Sequence, residues 1–137
     1  MSMEHNAHEW MRFARMDCEV ANHAFHTMRP KPLEIICYHC QQAVEKALKA
    51  YLVAQYEEPP RTHDLNLLWG LCKNHDERFE AILQPCSGLN RYGIQPKYPH
   101  DLQLTEGDTA LALRRAEAVL SFYDELNQEV PHATTHQ

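Results

Sequence analysis

The sequence predicts an all-α fold, an up-and-down four-helix bundle with one additional short helix, on three observations. Apolar residues recur at three- and four-residue steps through most of the 137-residue chain, the period that stacks side chains on one helix face. Breaks fall at Arg29-Pro30-Lys31-Pro32, at Pro59-Pro60 and from Pro85 onward, and they cut the chain into pieces of helix length. Between the first two breaks lies Leu33–Tyr56, LEIICYHCQQAVEKALKAYLVAQY, free of Gly and Pro and apolar over too wide a face for one neighbour to cover. This stretch is expected to be the central helix, with the small side chains of Ala43, Ala47 and Ala50 letting its neighbours come close.

The first helix is expected over Met3–Met28, with Trp10, Phe13, Ala14, Asp17, Ala21, Ala24 and Met28 on its inner face. Asp17 stands out there. A carboxylate in an apolar stripe needs a partner, and a residue of the second helix such as Gln41, which falls in that helix's stripe, is the expected one, with the Arg91–Tyr98 segment as the alternative. The second helix, Pro32–Tyr56, starts on a proline that suits a first turn, and the short link makes the first two helices antiparallel neighbours. Its other face, with His39, Lys46 and Val53, suits solvent or a second subunit. Thr62 or Asp64 can cap a third helix over Asp64–His75, and His63 either bonds the helix end or contributes to a site. A short helix over Glu77–Leu83 is expected to stop at Pro85 and Gly88. Thr105 and Asp108 form a variant capping box for the last helix, Thr105–Glu129. Residues 1–130 then make one domain, and 131–137 a tail with little to bury that should fray.

Composition narrows the function classes. The formal charge of -6 with His neutral argues against indiscriminate binding to nucleic acid, so any RNA contact requires a local basic site. No apolar run approaches the roughly 20 residues of a membrane span. The five cysteines are odd in number and follow no signal-peptide pattern, which points to a reduced, cytoplasmic protein. Cys37 and Cys40 form a C-x-x-C, but inside a helix and without a second such pair, so they read as small apolar core residues. No phosphate loop and no cofactor motif is present, and no metal site is expected. The segment from Leu89 to Asp101 gathers Arg91, Tyr92, Lys97, Tyr98 and His100 within thirteen positions. Arg and Lys bind phosphate and Tyr rings stack on bases, so these residues are expected to converge on a phosphate-bearing ligand at one end of the bundle.

Four stretches together carry a resemblance: Glu-Trp-Met-Arg-Phe-Ala-Arg-Met-Asp near the start, Cys-Tyr-His-Cys-Gln-Gln-Ala-Val-Glu-Lys-Ala-Leu-Lys-Ala-Tyr-Leu, Thr-His-Asp-Leu, and Tyr-Gly-Ile-Gln-Pro-Lys-Tyr-Pro. Over about residues 5 to 128 they resemble the HEPN domain of small prokaryotic proteins. The resemblance implies an all-α up-and-down bundle, often a homodimer, and frequently encoded beside a minimal nucleotidyltransferase with which it forms a toxin–antitoxin pair. It also implies, for members that are metal-independent RNases, an Arg followed after four to six residues by His. Here eight residues separate Arg91 from His100, so Arg91 and His100 act as a catalytic pair only if the loop returns His100 towards Arg91. Three readings stay open: the HEPN half of a two-component system, an RNase toxin, and a dimeric helical scaffold with no ligand of its own.

Overall fold

The computed structural model describes residues 3–93 and 103–134. Among them there is no strand. The elements are α1 (Met3–Thr27), α2 (Leu33–Ala54), α3 (Leu65–His75), a 3-10 turn at Glu77–Ile82, α4 (Leu83–Leu89), a second 3-10 turn at Asn90–Tyr92, and α5 (Glu106–Thr134). The all-α bundle predicted from periodicity is the observed fold.

Helix α2 is the centre of the core. It packs most extensively on α1 and also on α3 and α5, and Ile36, Cys37, Cys40, Ala43, Val44, Ala47, Leu48, Ala50 and Leu52 are all buried. The inner face of α1 is rotated from the expected one. Ala7, Met11, Ala14, Cys18, Ala21 and Ala24 are buried, whereas Phe13 and Met28 are largely exposed. A seam of small residues lets the α1 and α2 backbones approach, and Phe13 is too large for it. On α5, Ala112, Ala116, Val119, Leu120 and Leu126 face inward as their spacing requires.

Two helix starts follow from their caps. The Asp64 side chain accepts from the backbone N–H of Asn66 and Leu67, and the Thr105 hydroxyl and Asp108 carboxylate each accept from the other's backbone N–H at 3.1 Å, satisfying donors that a helix leaves free. The expectation that Pro85 and Gly88 end the helical chain is not met, because both lie inside α4. Pro85 occupies its first turn, where no backbone N–H is needed. Gly88 lies beneath the Arg115 guanidinium of α5, whose Nη1 donates to the Gly88 carbonyl at 3.5 Å. Helix α5 extends to Thr134. The rest of the expected tail, 135–137, lies outside the described residues.

The C-x-x-C cysteines sit in the core. All five thiols are buried and free, and burial pushes Cys18 up to about 11 and raises Cys37 and Cys40 as well. A thiol held neutral is a poor nucleophile and a poor metal ligand.

Candidate ligand-binding site

The 3-10 turn that carries Arg91 is fixed against the start of α3. Asn90 accepts from the Leu65 backbone N–H through Oδ1 at 2.8 Å and donates from Nδ2 to Asp64 Oδ1 at 3.1 Å. Gly93 closes the turn so near α2 that a Cβ there would lie 3.2 Å from Gln41 Nε2 and 3.4 Å from the His63 carbonyl oxygen. Arg91 itself is exposed, its guanidinium 5.0 Å from the Tyr92 ring centroid. Among the described residues it has no carboxylate partner.

Tyr92 takes a different place from the one its expected role requires. It is buried in the core, and burial raises its phenol above the usual value. A ring packed against the bundle cannot stack on a base. Lys97, Tyr98 and His100 lie outside the described residues, so of the five loop residues only Arg91 is seen to be exposed.

Behind this turn lies a network centred on Glu45, a residue that the sequence pattern did not single out. Its carboxylate is nearly inaccessible, and it accepts from Lys49 Nζ at 2.9 Å, from His63 Nδ1 at 3.0 Å and, more weakly, from the side-chain amides of Gln41 and Gln42 at 3.4 Å. Gln41 also donates to the His63 carbonyl at 3.0 Å. The His63 ring is therefore anchored through Nδ1 on a buried carboxylate while most of its surface faces solvent. Such an anchor selects the tautomer and leaves Nε2 outward. The signal in the sequence is the i,i+4 spacing of Glu45 and Lys49, which pairs opposite charges on one helix face.

Asp17 is paired with the second helix, as expected, through His39 and Lys46 rather than Gln41. It accepts from His39 Nδ1 at 2.9 Å and from Lys46 Nζ at 2.5 Å. The face of α2 with His39, Lys46 and Val53, expected to suit solvent or a second subunit, thus meets α1 of its own chain, and Val53 is buried. Gln41 points instead towards α3. Asp17→Ala leaves the Lys46 ammonium and the His39 ring without their acceptor, and should destabilise the fold by about 1–3 kcal/mol. Urea unfolding curves measure this, and a loss below a few tenths of a kcal/mol would mean the network is slack.

The HEPN domain family matches residues 7–126. The chain belongs to the HEPN family. No curated protein matches it. Among solved structures it is similar to TT1696 from Thermus thermophilus, with a TM-score of 0.74 and 23% identity over 87% of this chain and 96% of that one. At that identity the likeness concerns the fold, and it places this HEPN chain on the same helical framework. No described helix of this HEPN protein is long and apolar enough to cross a membrane.

Proposed function

We propose that this HEPN protein is one half of a two-component, toxin–antitoxin type system with a minimal nucleotidyltransferase, and that the end of its bundle at Arg91 takes the phosphate of an RNA or nucleotide. The observation that carries the reading is the exposed Arg91 guanidinium, free of any carboxylate among the described residues and presented on a turn locked to the α3 cap by Asn90. A planar fork of donors on a rigid turn suits phosphate, and little ordering is required on binding. The protein acts as a homodimer in the cytoplasm. The exposed α1 side chains Phe13, Met16 and Val20 recur along one outer face and support self-association, whereas His39 and Lys46 are already engaged within the chain.

Co-expression with the nucleotidyltransferase encoded beside it should give a complex that survives size exclusion. Two proteins eluting apart at micromolar concentration would remove the partnership. An RNase reading is the alternative, favoured by one contact: Gly93, two residues after Arg91, lies against the carbonyl of His63. In that case purified protein cleaves RNA in EDTA, and His100→Ala or His63→Ala abolishes cleavage.

A further inference from the structure

Away from the Arg91 turn, a cleft of about 510 Å³ opens between the start of α1, the end of α2 and the turn that follows α2. Its volume is that of a small-molecule site. One wall is preformed. Tyr56 adopts a left-handed φ of 62°, the Glu57 backbone N–H returns to the Leu52 carbonyl at 2.9 Å, and His75 Nε2 holds the Glu57 carboxylate at 2.6 Å. Pro59 and Pro60 then stiffen the chain along the cleft. The opposite wall is the half-buried Trp10.

The polar groups converging on this space are few. Lys49 lines it with its Nζ 5.6 Å from the Trp10 ring centroid, but that ammonium is already neutralised by Glu45 at 2.9 Å. Arg61 and Glu58 line it from the turn, and Asn6 from α1. Among the described residues the Arg61 guanidinium, the Asn6 amide and the Trp10 indole N–H have no hydrogen-bond partner. Three unengaged donor groups thus surround an apolar slot that has one uncompensated cation and one carboxylate at its rim.

We propose that this cleft is a second ligand site, for a flat aromatic or heteroaromatic ring carrying a single anionic group, either a carboxylate or a phosphate monoester. The ring lies between Trp10 and the Pro59-Pro60 wall, Arg61 forks onto the anion, and Asn6 and the indole N–H take acceptors on the ring or its substituents. A polyphosphate is disfavoured, because Lys49 is spent on Glu45 and Glu58 repels further negative charge. No residue of the Arg91 turn lines this cleft.

Titration of ¹⁵N-labelled full-length protein with adenosine 5′-monophosphate and with indole-3-acetate tests this by amide and indole chemical shifts. Both probes should shift Asn6, Arg61 and the Trp10 indole saturably. Adenosine and inorganic phosphate, each half a ligand, should bind at least about tenfold more weakly. Arg61→Ala, at an exposed position, should weaken both probes by about tenfold or more, whereas Arg91→Ala should leave them unchanged. The proposal is overturned if neither probe saturates below about 10 mM, if adenosine binds as tightly as its monophosphate, or if Arg61→Ala binds as wild type. It is also overturned if the shifts cluster around Arg91; loss of the Arg91 phosphate site alone leaves it standing.

Discussion

Raising the pH from about 8 to about 10.5 should unfold this protein, because the unfolded chain's cysteines ionise from about pH 8.5. Burial pushes Cys18 up to about 11 and Cys86 up to about 12, and it raises Cys37, Cys40 and Cys72 too. A group whose folded pKa lies above its unfolded value contributes stability that is complete below the unfolded pKa and is lost as pH rises through the folded one. Between those limits each thiol removes about 1.4 kcal/mol per pH unit. The five buried thiols together set a ceiling of about 7 kcal/mol per pH unit, against a typical total stability of about 5–15 kcal/mol. Tyr51, which burial pushes up to about 12, adds to the loss above pH 10. Thermal melts followed by helical circular dichroism should show Tm falling steeply from about pH 9. Cys86→Ala should reduce the slope by about one-fifth. A Tm flat to pH 10.5 would mean that the thiols ionise in place.

Glu45→Ala should be the most damaging single substitution among the polar residues. It removes the acceptor shared by Lys49 and His63 and strands the Lys49 ammonium, whose side chain is only 10% exposed, inside the bundle. Breaking one partner of a buried pair costs about 3–5 kcal/mol. The double variant Glu45→Leu with Lys49→Met should recover most of that, since two apolar side chains need no pairing. Chemical denaturation separates the cases. A loss under about 1 kcal/mol for Glu45→Ala would show that water reaches Lys49 and solvates it.

The helices were legible because the apolar spacing of α2 and α5 is unbroken, and because Asp64 and the Thr105–Asp108 pair are caps whose chemistry is local. What the sequence left open depends on rotation and on neighbours. Asp17 could be read as needing a partner, but whether α2 turns Gln41 or His39 and Lys46 towards it depends on an angle that spacing does not set. The same rotation put Phe13 on the rim of α1 and hid Val53. Pro85 and Gly88 read as a stop, yet a proline in a first turn and a glycine beneath Arg115 are both accommodated once α5 is in place. Composition drew attention to Arg91, which the turn leaves exposed. The Tyr92 ring completes the core only in the packed bundle, and the burial of Glu45 is decided by α3 and the loop before it, neither of which the spacing within one helix sets.

The central claim, that the Arg91 end of this HEPN protein binds phosphate, is tested most directly by fluorescence anisotropy of a labelled single-stranded RNA oligonucleotide in EDTA, comparing wild type with Arg91→Ala. Wild type should bind saturably, and Arg91→Ala should bind about tenfold or more weakly at an unchanged Tm, because an exposed side chain on a turn held by Asn90 contributes to the ligand and not to the core. Equal affinity of the two proteins for the RNA would contradict the account.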